Sequence, residues 1–269
     1  MAASPIQNQQ ILGPDGRWDF SNLADTVSLE NFPDSLGQPT RMNGGDDQVT
    51  GSSIPIPGWF NDVNGNLGND FLVGGTGRDK YLGGNENDFL AGDAGADWLN
   101  GNVGNDNVSG GAGNDIVRGG AGNDFVFGEA GDDIVTGDLG KDFLNGGAGN
   151  DRFVLPTDAA NTSPNAFEVD VITDFSLLGG NKDKIVLPGV ASFSELEFTN
   201  TVLDGVAGTL IGFKSGNFIG FVQNITPASL AAGAGSNFVL GATADDFFAK
   251  ITPDFFLQNP NMATDLIPV

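Results

Sequence analysis

The sequence has no cysteine, no histidine and only one tyrosine, and it sets 11 Lys and Arg against 35 Asp and Glu. Each scarcity removes a class of chemistry. Without Cys there are no disulfides, thiolate metal sites or thiol nucleophiles. Without His there is no Ser-His-Asp triad, and most zinc chemistry goes with it. The shortage of basic residues opposes binding to nucleic acid or to an anionic membrane surface, since both need Lys and Arg clusters. No apolar run approaches the ~18–20 residues of a membrane span. What remains for a metal is oxygen ligation, which suits calcium or magnesium.

The 269 residues carry a formal net charge of −24, yet 39% are hydrophobic and 21 are Phe. That is enough to build a core in one or two domains, so the chain is not a disordered acidic tail. Residues 1–10 lack the basic and long apolar regions of a secretory signal.

The glycines are concentrated, with 24 of the 42 inside Gly65–Val154. There Asp70, Asp79, Asp88, Asp97, Asp106, Asp115, Asp124, Asp133, Asp142 and Asp151 recur every nine residues, which makes ten consecutive nonapeptides. Position 1 is always Gly and position 6 always Asp. Position 4 is Gly except at Glu86. Position 8 is always apolar: Leu72, Tyr81, Leu90, Leu99, Val108, Val117, Val126, Val135, Leu144 and Phe153. The pattern predicts a glycine-rich turn over positions 1–6 and a three-residue strand over positions 7–9 with its middle side chain inward. So short a strand is unstable alone, so the units must stack and share a buried row. Stacking sets position-6 carboxylates at about the 4.7 Å strand spacing, where they repel unless a divalent cation lies between them. Turn carbonyls would complete an oxygen cage of the kind calcium prefers. Asp after Gly-Asn as plain turn chemistry would not require Asp in all ten units.

With GGAGNDIVR and GGAGNDFVF at 110–127, the block resembles the RTX (repeats-in-toxin) calcium-binding nonapeptide family. The resemblance implies an all-β fold: a right-handed parallel β-roll of about five coils, two nonapeptides per coil. It also implies the ligands. The position-6 carboxylate and the carbonyls of positions 2 and 4 share an ion with positions 1, 3 and 6 of the repeat eighteen residues on. The carbonyls of positions 2 and 4 are those of Asn66, Gly68, Gly75, Gly77, Gly84, Asp93, Gly95, Asn102, Gly104, Gly111, Gly113, Gly120, Gly122, Glu129 and Gly131. The facing position-1 carbonyls are those of Gly83, Gly92, Gly101, Gly110, Gly119, Gly128, Gly137 and Gly146. Ten repeats give about eight such pairs and so about eight calcium ions. Glu86 singles out the site of Gly84, Asp88, Gly101, Val103 and Asp106, because a non-glycine there costs ~1 kcal/mol or more of backbone strain.

Four segments follow from this reading: an N-terminal segment and cap (1–64), the roll (65–154), a C-terminal antiparallel β cap or domain (155–240) and a tail (241–269). Gly44–Gly51 reads as half of a worn repeat. Asp47 lies 23 residues before Asp70, so the register is expected to break, with Ser52–Asn64 bulging out or capping the roll. Asp25–Glu30 is either a helical turn or a strand. Residues 153–187 resemble the D-x-I-x-D-F…D-x-I-x-L segment that follows the roll in RTX proteins, through Asp170, Ile172, Asp174, Phe175, Asp183, Ile185 and Leu187. This segment is expected to cap the open end, its carboxylates being solvated turn residues in preference to a further ion site. Glu195–Phe198, Thr209–Phe213 and Phe218–Gln223 read as strands, the last two joined by a turn at Lys214–Asn217. In Gly212–Gly216 the serine is one position off a nucleophile elbow, and no His exists to activate it. The end of the chain, Asp265–Val269, is similar to the uncleaved signal of type I-secreted RTX proteins, interrupted by Pro268.

Position 7 should face outward. On one sheet it reads Phe71, Phe89, Asn107, Phe125 and Phe143, and on the other Lys80, Trp98, Ile116, Ile134 and Arg152. Either flanking segments pack over a sheet, or the Phe row is a docking face for a subunit, an envelope component or an apolar surface. The function expected is that of a non-enzymatic, secreted calcium-binding protein of the extracellular space or cell surface. The alternatives are a filament or surface-layer subunit that self-associates and, less favoured, a carbohydrate-binding or accessory module of an exoenzyme.

Overall fold

Position 8 is the residue that every repeat buries. Leu72, Tyr81, Leu90, Leu99, Val108, Val117, Val126, Val135, Leu144 and Phe153 all have no exposed surface, and Val63, Val49 and Val27 extend the row. Each such side chain contributes ~1.5–3 kcal/mol by leaving water, but only once neighbouring coils close over it. The architecture is that of a computed structural model, which describes residues 11–12, 18–20, 23–29, 39–52, 60–158, 161–178, 181–232 and 237–241.

Strands eighteen residues apart pair in parallel. Trp98–Val103 pairs with Ile116–Ala121, and Asn107–Ala112 with Phe125–Ala130. Alternate repeats thereby build two opposed sheets of 11 strands each. The strands run six residues, from position 7 to position 3 of the next repeat, and not the three expected. Positions 2 and 3 stay in register across the coils (Asn102↔Gly120, Val103↔Ala121), so pairing resumes after position 1 and the turn shrinks to positions 4–6. Position 2 manages this in the left-handed region: Asn66, Asp93, Asn102, Glu129 and Asp138 have φ of 68–78°. Asn and Asp tolerate that region best after Gly.

Coils continue the roll at both ends. Gln48–Thr50 pairs in parallel with Phe71–Gly75, and Thr26–Ser28 pairs with Gln48–Thr50. On the other sheet Phe60–Leu67 pairs with Arg78–Asn85. The register break expected at Asp47 therefore does not occur on its column, and Asn61–Asn64 is strand; residues 53–59 of the expected bulge lie outside the described residues. Of the two readings for Asp25–Glu30, the structure has a strand at Thr26–Ser28. Beyond the tenth repeat, Asp170–Ile172 and Lys184–Leu187 each add a parallel strand. The stretch expected as a cap is thus a further coil. Antiparallel strands Leu196–Leu203, Val206–Phe213 and Phe218–Gln223 then cover one sheet end, the last pairing in parallel with Asp170–Ile172. Helix Pro227–Ala232 buries Leu230, and Phe238–Leu240 finishes the other sheet. Asp265–Val269 lies outside the described residues.

The two outer faces differ. Phe71 and Phe125 are 45% and 49% exposed, and the row stacks in pairs: Phe71 on Phe89 at 4.7 Å, Phe125 on Phe143 at 5.3 Å. On the other sheet Ile116 and Ile134 are buried, as are Thr136, Val154 and Val186, while Lys80 and Trp98 are half-buried.

Position-4 glycines set how closely the coils approach. A Cβ on Gly113, at φ 139°, would overlap the Gly95 carbonyl of the coil below, whereas one on Gly77 would meet nothing within 4 Å. Gly113→Ala is expected to destabilise the calcium-loaded protein by ~1–2 kcal/mol or more, and Gly77→Ala by under ~0.5 kcal/mol. Thermal melting of the two variants checks the contrast; equal shifts would contradict the stacking described.

Candidate metal centre

The fold brings the ten position-6 aspartates into two columns, one along each sheet. All ten are buried, at 0–4% exposure. In each column the backbone N–H of one Asp donates to Oδ1 of the Asp eighteen residues on. Asp88 N–H reaches Asp106 at 2.8 Å, Asp106 reaches Asp124 at 2.8 Å, Asp97 reaches Asp115 at 2.8 Å and Asp115 reaches Asp133 at 2.8 Å. Oδ1 is therefore a structural acceptor, and coil stacking is written into the carboxylate itself.

Oδ2 has a different fate. In Asp70, Asp88, Asp97, Asp106, Asp115, Asp124, Asp133, Asp142 and Asp151 it is buried without a hydrogen-bond partner. It turns into the space beside the position-1 glycine of its own repeat, where a Cβ would overlap it in all ten units. At Gly65, Gly74, Gly83, Gly92, Gly101, Gly110 and Gly128 the position-1 carbonyl oxygen of the next coil converges on the same space. Position 1 is therefore glycine to leave room for a carboxylate and a carbonyl, not to turn the chain. An orphaned anionic oxygen facing a carbonyl oxygen is repulsive as it stands, and it becomes ligation once a hard divalent cation sits between them. The donor set, all oxygen, fits calcium.

Crowding shows in the acidities. Burial pushes Asp106 up to about 6 and Asp115 and Asp124 up to about 7. Asp88 and Asp133 rise to about 8 through burial, with stacked neighbours adding to it (Asp106 and Asp70; Asp115 and Asp151). Asp97, enclosed and flanked by Asp115 and Asp79, rises to about 10.

Most position-2 and position-4 carbonyls belong to left-handed residues of the turn. Gly84, Asn102, Gly111, Gly120 and Glu129 at position 2, and Gly68, Gly104, Gly113, Gly122 and Gly131 at position 4, all have positive φ. Glu86 joins them at φ 73°, and the Asp88 Oδ2 beside it is orphaned as in the regular repeats. The irregular carboxylate is instead Asp79, whose Oδ2 accepts the Gly75 N–H at 2.9 Å. Gly75 is the one position-2 residue of the ten repeats outside the positive-φ set, and Gly77 at position 4 is outside it too, as is Gly95 in the next coil.

Residues outside the ten repeats extend the columns. Asp142 N–H donates to Asp170 and Asp151 N–H to Asp183, each at 3.1 Å. Asp170 and Asp183 are buried, which corrects the expectation of solvated turn carboxylates. Asp174 accepts the Gly146 and Gly147 N–H groups at 3.0 and 2.7 Å. A second, outer ladder was not anticipated: the position-5 amides bond the next coil, Asn87 N–H to Asn69 Oδ1, Asn105 to Asn87 and Asn123 to Asn105. The Gly-Asn-Asp recurrence carried that signal.

A parallel roll with columns of buried, metal-poised carboxylates is the architecture of a calcium-binding repeat protein. The model of the RTX calcium-binding nonapeptide repeat matches in four overlapping copies, at residues 60–90, 82–117, 91–126 and 118–153, so this part of the chain is an RTX calcium-binding repeat array. Solved structures similar to the chain include two subunits of a mannuronan C5-epimerase from Azotobacter vinelandii. AlgE6R2 is 21% identical, over 61% of this chain and 92% of that one, with a TM-score of 0.37. AlgE6R3 is 24% identical, over 64% and 80%, with a TM-score of 0.26. No curated protein matches.

The raised acidities have a consequence for the metal-free protein. Carboxyls whose folded values lie above the unfolded one favour the roll when protonated, and that contribution is lost as pH climbs through about 6–8. With chelator present, the far-ultraviolet strand signal is expected to grow as pH falls from about 8 to about 5. A strand signal that shrinks over that interval would contradict the columns as described.

Proposed function

We propose that this protein is secreted, that its roll closes on calcium outside the cell, and that it serves as a non-enzymatic structural or surface component. The observation that carries the reading is the row of nine buried, unpartnered Oδ2 atoms. In a calcium-poor cytoplasm these anions repel one another and keep the repeats loose enough to thread through an export channel. Outside, millimolar calcium binds only the folded form and stabilises it by linkage. About eight ions would bring the formal charge from −24 to about −8, an ordinary value for a soluble domain. Absence of His and Cys supports the non-enzymatic part. Among the described residues no helix is long and apolar enough to cross a membrane. Circular dichroism with and without chelator at neutral pH tests the mechanism: strand signal should appear with calcium and vanish with its removal. A signal indifferent to chelator rules it out.

A second reading is favoured by one feature, the exposed Phe71 and Phe125 with their stacked partners. Two stacked aromatic pairs, each with one exposed ring, on a regular sheet suit a subunit of a calcium-dependent filament or surface layer. Sedimentation at high calcium should then show particles that Phe71→Ser/Phe125→Ser disperses; monomer throughout excludes assembly.

A further inference from the structure

One aspartate column begins before the regular repeats do. Residues 42–50, Met-Asn-Gly-Gly-Asp-Asp-Gln-Val-Thr, precede the first residue matched by the repeat model and lack its position-1 glycine. Their backbone nevertheless makes the same turn. Asn43 and Gly45 stand at positions 2 and 4 with φ of 65° and 109°. Gly45 N–H donates to the Leu67 carbonyl at 2.8 Å, as Gly104 N–H does to Ala121 at 2.9 Å. The Gly45 carbonyl oxygen occupies the place a Cβ on Gly68 would take, as the Gly95 carbonyl does at Gly113. Val49, at position 8, is buried in the core row.

Asp47 completes the correspondence. Its N–H donates to Asp70 Oδ1 at 2.8 Å, and its own Oδ1 accepts the Asp25 N–H at 2.6 Å. The residue is 1% exposed, and its Oδ2 is buried with no partner, like those of the regular repeats. The other column starts differently. There Asn61 replaces the carboxylate, and its backbone and side-chain amides donate to Asp79 Oδ1 at 3.3 and 2.5 Å. With Gly75 N–H on Oδ2, Asp79 has protein donors on both oxygens. One column thus opens on amides and the other on an unsatisfied carboxylate.

We propose that the step between Asp47 and Asp70 is a further divalent-cation site, with calcium held by the Asp47 and Asp70 carboxylates and the Gly45 and Gly65 carbonyls. It rests on the reading of the roll as a calcium-binding array. Its role is to clamp the N-terminal coil onto the first regular repeat, where the covalent spacing of 23 residues no longer enforces register.

Crystals of the full chain grown with terbium in place of calcium test it by anomalous diffraction. A peak between Asp47 and Asp70 is expected along with peaks between the regular repeats. Peaks in the repeats and none at this step overturn the proposal and leave the roll's calcium binding standing; no peak anywhere overturns both. The unaltered chain is used, so the result does not depend on a variant folding. In solution Asp47→Asn is expected to bind one calcium ion fewer than the parent by equilibrium dialysis, and an unchanged count overturns the site.

Discussion

The rest of the structure depends on one division of labour within the position-6 carboxylate. Oδ1 accepts the backbone N–H of the Asp in the coil before, which fixes the rise and register of the stack. Oδ2 is left buried beside a glycine and, in most repeats, opposite a carbonyl oxygen. The first oxygen builds the roll and the second makes it conditional. Burying an ionised group without a counter-charge is far more costly than one hydrogen bond is favourable, which is why closure at neutral pH is proposed to require a cation.

Other features follow from that arrangement. Position 1 must lack a side chain because the carboxylate fills its place, and at position 4, Gly77 and Glu86 excepted, a Cβ would meet the carbonyl of the coil below. The interior therefore has room for a single apolar column per sheet, the position-8 row, and so thin a core cannot hold the coils together unaided. The position-5 amides add a neutral ladder outside the charged one. Both ladders are needed to satisfy turn N–H groups that a strand pairing pattern leaves over.

How much of this the sequence disclosed depended on the strictness of the spacing. The period of nine showed the aspartate columns, the inward position-8 residues and the alternation of sheets. It did not show strand length, because a left-handed residue at position 2 looks like turn material yet lets pairing resume. Asp47, Asp170 and Asp183 escaped because they sit 23, 28 and 32 residues from their stacking partners, and loops absorb the excess. Glu86 drew attention as the one broken position, but its backbone takes the glycine conformation; Asp79, inside a consensus repeat, is the carboxylate that differs. Side-chain identity marked the period, whereas backbone φ and the fate of Oδ2 marked the sites.

The central claim is that ion uptake and coil closure are one event. Calcium titration followed at once by calorimetry and circular dichroism tests it most directly. The account predicts about eight or nine ions taken up in the same cooperative transition that produces the strand signal. A full strand signal before the first ions bind, or fewer than about two ions at saturation, would contradict it.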